Sequence, residues 1–135
     1  AAHRAGVRVV PLVGPSSILL ALMGSGLNGQ KFAFHGYLPI DAAQKTKEIK
    51  RLEQESKAHA QTQMFIETPY RNMQLFETLL KTLQPNTCLC VGADLTLPTE
   101  RLRTQTVGEW QKMFKNKGSE MTDLNKRPTM FLFLA

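Results

Sequence analysis

The feature of this sequence that most constrains its fold is an apolar run that stops at a tight turn and continues at once into a second apolar run. Residues 9–13 are Val-Val-Pro-Leu-Val, which is typical of a buried strand, and residues 14–17, Gly-Pro-Ser-Ser, interrupt them. Residues 18–23 are apolar and compatible with a helix, for which Ser16 is a suitable N-cap. We therefore predict a buried strand, a tight turn and a capped helix.

This strand-to-helix turn has the chemistry of a ligand-binding loop. In open α/β sheets, ligands collect outside the carboxyl ends of strands, where loop amides and the positive end of a helix face the cleft. Gly14 lets the backbone come close to a ligand, and Pro15 stiffens the loop. Ser16 or Ser17 either caps the helix or bonds the ligand. Because any α/β protein has such turns, the turn alone favours a structural role.

The rest of the chain repeats the alternation of strand and helix. Residues 24–30 are polar and glycine-rich, so we place a domain boundary between residues 1–29 and residues 30–135. Apolar segments predict further strands at residues 31–39, 63–66, 87–92 and 129–134, and the alternating pattern of residues 101–105 predicts another. With three helices between these strands, the order predicts an α/β domain with residues 101–105 as an edge strand.

Capping residues mark the starts of the three later helices: Asp41 with Gln44, Thr68 before Pro69, and Thr106 with Glu109. The helix that ends near His59 is highly charged, and only Ile49 and Leu52 are clearly apolar, so we expect it on the surface. In the last helix, Trp110 is expected in the core and not as a stacking platform. A polar loop follows that helix.

Composition limits the classes of function without selecting one. The chain has 135 residues, enough for a sizeable core, and 17 basic against 11 acidic side chains give a net charge of +6. An anionic partner such as RNA is therefore permitted, although a solvated surface would carry the same scattered charges. No targeting segment stands out and no apolar run is long enough to cross a bilayer, so we expect a cytoplasmic protein.

The cysteines and histidines form no metal-binding pattern. Cys88 and Cys90 lie two residues apart in a predicted strand and share one face of it, which suits two small buried groups and not a disulfide framework or a zinc site. His3, His35 and His59 are scattered along the chain. We expect no metal, and we expect His35 in a structural turn and not as a base.

Four segments carry a resemblance to a known family. In chain order they are VVPLVGPSS (residues 9–17), KFAFHGYLP (31–39), FIETPYR (65–71) and DLTLPTE (94–100). Together they resemble the tetrapyrrole methylase superfamily. Within it they most resemble the branch that methylates a cytidine 2′-hydroxyl of small-subunit ribosomal RNA. The resemblance spans nearly the whole chain.

The resemblance implies a fold, a cofactor and partners. Members have two α/β domains with S-adenosylmethionine between them, and the glycine- and aspartate-containing loops of the first domain precede the segment at residues 9–13. Residues 1–29 would be the last strand-helix unit of that first domain, and residues 30–135 the complete second domain, a mixed sheet flanked by helices. This chain would then hold half of a cofactor site. Its implied partners are the missing N-terminal domain, a second copy in a homodimer, and ribosomal RNA.

The resemblance also implies site residues. The loops that would line the cofactor contain Gly14, Pro15, Ser16, Ser17, Glu67, Thr68, Ala93, Asp94, Leu95, Thr96 and, before the last strand, Pro128. Glu67 or Arg71 would lie near the methyl acceptor in a catalytic role. The alternative for these two is a surface ion pair in the first turn of a helix. For Asp94 and Glu100, the alternative is the capping of a turn or helix.

Several positions depart from the family pattern. The family usually has Pro-Gly-Pro-Ser at residues 13–16, and often Glu in place of His35, Arg-Glu-Leu-Thr-Lys at residues 93–97 and Gly-Glu at residues 127–128. Because these changes remove charged groups, the methyltransferase class is better supported than the ribosomal target. A small tetrapyrrole-like acceptor or another RNA stays open. So does a second class of function, a non-catalytic α/β binding module with a basic face.

The chemistry of methyl transfer sets what such a site needs. Transfer from a sulfonium is an in-line displacement, so the protein mainly aligns the acceptor oxygen, the methyl carbon and the sulfur. A neutral hydroxyl is a poor nucleophile and needs a group that removes its proton. Candidate polar groups occur at three predicted strand ends: Ser16 and Ser17, Glu67 with Tyr70 and Arg71, and Asp94 with Thr96 and Glu100. We expect these three loops to meet at one rim.

Overall fold

The computed structural model describes residues 1–117 and 123–135, along which helices alternate with strands except at residues 88–106, where two strands follow each other directly. The helices are α1 (Ser17–Ser25), α2 (Ala42–His59), α3 (Asn72–Thr82) and α4 (Val107–Lys117). The strands are β1 (Phe32–Tyr37), β2 (Thr62–Ile66), β3 (Cys88–Ala93), β4 (Arg101–Thr106) and β5 (Thr129–Leu134). Two 3₁₀ turns cover His3–Ala5 and Pro69–Arg71. Every strand predicted from residue 31 onward is present.

The five strands form one mixed sheet in the order β1-β2-β5-β3-β4, with β4 at an edge as predicted. β1 runs parallel to β2, β5 runs antiparallel to both β2 and β3, and β4 runs antiparallel to β3. As a result, β1, β2 and β3 all end at one edge of the sheet, where β4 and β5 begin. The predicted mixed sheet flanked by helices is confirmed, and the loops after β2 and β3 meet at that edge.

One face of the sheet carries the main core. Helices α2, α3 and α4 contribute to this cluster, whose largest members include Phe65, Phe76, Trp110, Phe131 and Phe133. The indole Nε1 of Trp110 donates to the carbonyl oxygen of Leu89 at 2.8 Å. Trp110 is therefore a core residue with its one polar group satisfied, as predicted. Helix α2 lies on the surface and buries Ile49 and Leu52, also as predicted.

The other face of the sheet is covered by α1. Ala21 and Leu22 are buried in one cluster with sheet residues that include Met64, and the Thr104 hydroxyl donates to the Ser25 carbonyl oxygen at 2.7 Å. Helix α1 thus packs on the sheet formed by later residues. The domain boundary after residue 29 stays a prediction.

The buried strand predicted at residues 9–13 was wrong. This segment forms no strand, and its side chains are exposed: Leu12 is 89% and Val13 fully accessible, at 108%. A strand needs a neighbouring strand for its backbone hydrogen bonds and a packed face for its side chains. No described strand lies beside residues 9–13, so their β-branched composition alone does not form one.

The helix that follows begins and ends as predicted. The Ser16 hydroxyl oxygen accepts a hydrogen bond from the Leu19 amide at 3.5 Å, and Gly26 ends α1 in the left-handed conformation, with φ 71°. The Asp41 carboxylate accepts from the Gln44 amide at 2.9 Å at the start of α2.

At α4 the capping is reciprocal. The Thr106 amide donates to the Glu109 carboxylate at 2.8 Å, and the Glu109 amide donates to the Thr106 hydroxyl oxygen at 3.2 Å. Residues 118–122, in the polar loop predicted after α4, lie outside the described residues. Thr68 occupies a cap position without a side-chain cap bond, and a 3₁₀ turn beginning at Pro69 separates it from α3.

The two cysteines lie on β3. Both cysteines are free thiols, Cys90 is buried, and burial raises the pKa of its thiol to about 11. Within residues 1–117 and 123–135, no three metal-ligating side chains lie close enough together to hold an ion. In the same residues, no helix combines the length and apolar character needed to cross a membrane.

Candidate functional site

A cavity of about 280 Å³ lies at the edge of the sheet where β1, β2 and β3 end. We call it the rim cavity. Its lining residues are Ser17, Tyr37, Ile66, Glu67, Pro69, Gly92, Leu95, Pro128, Thr129 and Met130. They come from the start of α1, the ends of β1 to β3 and the start of β5, so the topology of the sheet brings together segments far apart in the sequence.

The rim cavity contains some of the residues expected to bind a cofactor and not others. Ser17, Glu67, Leu95 and Pro128 line it. The remaining predicted residues are not among its lining side chains, and they are Gly14, Pro15, Ser16, Thr68, Ala93, Asp94 and Thr96. Of these, Ala93 lines a separate cavity, and Gly14 and Pro15 lie in the exposed N-terminal segment. Three predicted loops therefore reach one rim, through one or two side chains each.

Glu67 forms a buried ion pair that the sequence reasoning missed. Its Oε2 lies 3.0 Å from the Nζ of Lys45, and the two side chains are only 6% and 7% accessible. Its Oε1 accepts a hydrogen bond from the Thr68 amide at 2.9 Å. Since Arg71 is not its partner, the predicted alternative of a surface ion pair between Glu67 and Arg71 was wrong. Both carboxylate oxygens of Glu67 are engaged.

The position of Lys45 on α2 is a sequence signal from which a buried ion pair could have been predicted. Lys45 precedes Ile49 by four residues and Leu52 by seven, so it lies on the apolar face of α2 that packs on the sheet. A lysine on such a face is almost never fully buried unless it is paired. Its partner, Glu67, follows directly after β2.

Asp94 is committed to the turn that follows β3. Its Oδ2 accepts hydrogen bonds from Arg127 Nε at 2.7 Å and from the Thr99 hydroxyl at 2.8 Å. The Arg127 guanidinium, and after it the Thr99 hydroxyl, hold the pKa of Asp94 below its ordinary value. The φ of Asp94 is 52°, a left-handed conformation that aspartate tolerates better than most residues. These contacts are an ion pair and a hydrogen bond between side chains, and they do not show the capping of a backbone amide that the alternative predicted for Asp94.

The same turn also engages Glu100. Its Oε2 accepts a hydrogen bond from the Thr96 amide at 2.6 Å, and Thr96 has φ 75°. This carboxylate therefore holds an unusual backbone conformation in place, as its capping alternative predicted. Both acidic residues fix the loop between β3 and β4 beside the rim cavity.

Two further residues that the sequence singled out are His35, which differs from its prediction, and Arg71. His35 lies within β1 and not in a turn, and its Nε2 is hydrogen-bonded to the Gln63 side-chain oxygen of the neighbouring strand. The prediction of a turn was wrong because residues 32–37 continue as a strand through His35. The Arg71 guanidinium lies 5.1 Å from the centre of the exposed Tyr70 ring, a cation–π distance.

Comparison with known proteins identifies sequence relatives. No protein-family model matches the sequence. Ribosomal RNA small subunit methyltransferase I from Mesorhizobium japonicum is 35% identical over 102 residues, which are 76% of this chain and 33% of that protein. The protein of the same name from Escherichia coli O157:H7 is 30% identical over 118 residues, 85% of this chain and 40% of that protein. The chain thus spans less than half the length of these relatives.

Solved structures agree with the fold. The methyltransferase CobJ has a TM-score of 0.55 and 17% identity, with 98% of this chain and 53% of that chain covered. The cobalt precorrin-4 methyltransferase CbiF has a TM-score of 0.57 and 17% identity, with 98% and 54% covered. At this identity the structures show the shared fold alone. The sequence relatives show that the chain belongs to the family of ribosomal RNA small subunit methyltransferase I, in the tetrapyrrole methylase superfamily.

Proposed function

We propose that this chain is part of an S-adenosylmethionine-dependent methyltransferase whose acceptor is a ribose 2′-hydroxyl of ribosomal RNA. The observation that carries the proposal is the rim cavity, where α1, β2, β3 and β5 bring their loops to one edge of the sheet. The names of the sequence relatives support the reaction and the RNA acceptor. The net charge of +6 is compatible with an anionic substrate.

The lining of the rim cavity fits part of the proposed cofactor. Ile66, Leu95 and Met130 offer apolar surface for an adenine ring, and the hydroxyls of Tyr37 and Thr129 suit a ribose. The volume of about 280 Å³ lies just below the range of complete small-molecule sites, which begins near 300 Å³. A cavity of this size supports the proposal that the chain supplies one half of the site.

The chain contributes to the reaction mainly by positioning. When bound, S-adenosylmethionine supplies an electrophilic methyl group. The engaged carboxylate of Glu67 anchors the loop after β2 to α2 through Lys45, which fixes one wall of the cavity. We propose that Arg71, braced on the Tyr70 ring, faces the acceptor on the outer side of that loop. Aligning the reacting atoms in this way supplies on the order of several kcal/mol of barrier lowering.

The cofactor-binding residues inferred from the resemblance remain proposals for the assembled site. Thr68, Ala93, Asp94 and Thr96 belong to the loops around the rim cavity and would contribute through their backbone. Residues 14–16 precede α1 and would complete the site from the other side. An N-terminal domain is the proposed partner there, with a homodimer and a cytoplasmic location as further parts of the proposal. The exposed apolar side chains of residues 9–13 support a partner on that side.

Calorimetry tests this function directly. S-adenosylhomocysteine is titrated into the chain and into a version extended at its amino end, and we expect clearly tighter binding to the extended version. In the extended version, Leu95→Trp should weaken binding by about tenfold or more, because the larger ring fills the rim cavity. Leu97→Trp is the matched control, since Leu97 lies two residues further along the same turn and is exposed.

The outcomes separate a half-site from a binding module. Binding to neither version contradicts the proposed function and favours a non-catalytic module. Equal weakening by both tryptophan variants would show that the rim cavity is not the site. Should Leu95→Trp fail to fold by circular dichroism, Ser17→Trp serves in its place, because Ser17 lines the same cavity from an exposed position at the start of α1.

A further inference from the structure

A second cavity, of about 240 Å³, lies on the face of the sheet that carries α4. Its floor is apolar and is made by Val91, Ala93 and Trp110. Its remaining lining residues are Arg101, Leu102, Arg103, Leu124 and Arg127, so three arginines surround an apolar floor. We call this the arginine cavity. It shares no lining residue with the rim cavity.

The edge strand β4 presents two of these arginines on one side. Arg101 and Arg103 are exposed and two residues apart, so their side chains leave the strand in the same direction, roughly 7 Å apart at the backbone. Leu102, between them, packs on the opposite face against the α1 cluster. The alternation fixes both guanidinium groups on the cavity side. Both side chains are exposed, and β4 has a neighbouring strand on one side only.

The third arginine, Arg127, is held in place by residues of the loop between β3 and β4. Arg127 Nε donates to Asp94 at 2.7 Å, and its Nη2 donates to the Thr99 carbonyl oxygen at 2.7 Å. Asp94 pairs with Arg127 and the carboxylate of Glu109 lies near Arg103, so two negative charges face three guanidinium groups and the cavity keeps a net positive charge. Arginine is the side chain best suited to bind phosphate groups in a fixed orientation.

The arginine cavity adjoins the rim cavity. Arg127 lines the first and Pro128, the next residue, lines the second. Ala93 and Gly92 divide between the two cavities in the same way at the end of β3. A polyanion bound by the arginines therefore passes beside the cavity that we propose for the cofactor. This continuity distinguishes these arginines from the lysines scattered over the rest of the surface.

We infer that Arg101, Arg103 and Arg127 bind consecutive phosphates of the RNA acceptor and guide its ribose to the rim cavity. The inference rests on the proposed function, because it takes RNA as the acceptor. Contacts of this kind are sequence-independent and depend on salt, since each neutralised phosphate releases counterions. The occupant is thus the sugar–phosphate backbone, with an apolar floor for a nucleoside beside it.

Fluorescence anisotropy with a labelled, mixed-sequence RNA hairpin tests the inference on the chain and on its amino-extended version. The double variant R101Q/R103Q should bind about tenfold or more weakly. The slope of log affinity against log salt should also become shallower by about 1 to 2. The matched control is K50Q/K57Q, which removes the same charge from exposed positions of α2 away from both cavities. We expect the control to bind within about twofold of the unsubstituted protein.

The possible results separate this inference from the proposed function. Equal losses in the two double variants, or no RNA binding by the unsubstituted protein, would overturn the inference. Parallel titration of S-adenosylhomocysteine into the extended version reports on the function alone, and R101Q/R103Q should leave that binding unchanged. If the cofactor binds but R101Q/R103Q shows no selective loss of RNA affinity, the inference about the arginines is contradicted and the proposed methyltransferase function is supported. If R101Q/R103Q selectively loses RNA affinity but S-adenosylhomocysteine does not bind, the proposed methyltransferase function is contradicted and RNA binding by the arginines is supported.

Discussion

At the scale of single residues, the buried pair between Lys45 and Glu67 makes the sharpest prediction. Replacing Lys45 by Met leaves a carboxylate buried without its cation, and we expect a loss of about 3 to 5 kcal/mol in the free energy of unfolding. The double variant K45M/E67M should recover most of that loss, because it buries no unpaired charge. Urea unfolding followed by circular dichroism measures both.

The exposed pair between Arg51 and Glu48 is the control for this experiment. Their side chains are 53% and 31% accessible, so Arg51→Met should cost less than about 1 kcal/mol. A loss in K45M no larger than in R51M would show that the Lys45–Glu67 contact is not a buried pair in solution. Both substitutions replace the cation of an ion pair by methionine, and the two pairs differ strongly in burial.

Asp94 gives a prediction for pH. Because the Arg127 guanidinium lowers its folded-state pKa below the ordinary value of 3.8, its ionised form stabilises the folded protein. That contribution is complete above the ordinary pKa and is lost as pH falls through the lowered folded-state value. Asp94→Asn should therefore be less stable than the unsubstituted protein at neutral pH, with the difference shrinking as the pH falls below about 4.

Urea midpoints measured across this pH range test the Asp94 prediction. Glu77→Gln, at an exposed position of α3, is the control and should track the unsubstituted protein. A difference between D94N and the unsubstituted protein that stays constant down to acidic pH would contradict the assigned ion pair. The pH range in which Asp94 stops contributing to stability follows from the lowered pKa. A raised pKa would place that loss of stability at higher pH.

Residue-level prediction from the sequence succeeded for local contacts and missed tertiary partners. The capping residues at α1, α2 and α4 were found because an N-cap and its amide are only a few residues apart. The partners of Glu67 and Asp94 were not, because Lys45 and Arg127 lie 22 and 33 positions away. Periodicity places Lys45 on a buried face, but only the fold shows what it meets there.

At the scale of elements, the packing of α1 on the five-stranded sheet leads to a prediction about stability. Leu22 is buried among sheet residues, so Leu22→Ala should lower the free energy of unfolding by about 2 to 5 kcal/mol. Met23, the next residue, is 78% exposed, and Met23→Ala should change it by less than about 0.5 kcal/mol. Single-wavelength unfolding of the three proteins provides the comparison.

The outcome for α1 bears on how the chain is divided. A cooperative loss in L22A means that α1 and the sheet unfold together. A separate early transition, with the main transition unchanged in L22A, would mean that α1 is an independent unit despite its packing. The domain boundary predicted after residue 29 depends on which of these is seen.

Element-level prediction failed at one strand for a physical reason. Residues 9–13 have the composition of a buried strand, but strand formation depends on non-local pairing, and no described strand lies beside them. The segment at residues 129–134 has a similar apolar character and does form a strand, because β2 and β3 pair with it on both sides. Composition identified both candidates, and the neighbours decided between them.

At the scale of the whole molecule, the site could be predicted only in outline. The order of strands and helices correctly placed the loops after β2 and β3 at one edge, where the rim cavity lies. The arginine cavity had no sequence signal of its own, because Arg101 and Arg127 are brought together by strand order and not by spacing. Alternating arginines on an edge strand are equally typical of a solvated surface.

The central position of β5 has a consequence for biogenesis. It is the only described strand that joins the β1-β2 pair to the β3-β4 pair, and it follows all four in the chain. Until residues 129–134 have been made, one strand in each pair has an unpaired backbone edge. Such edges are prone to associate with other chains. The sheet can therefore be completed only after residues 129–134 have been made.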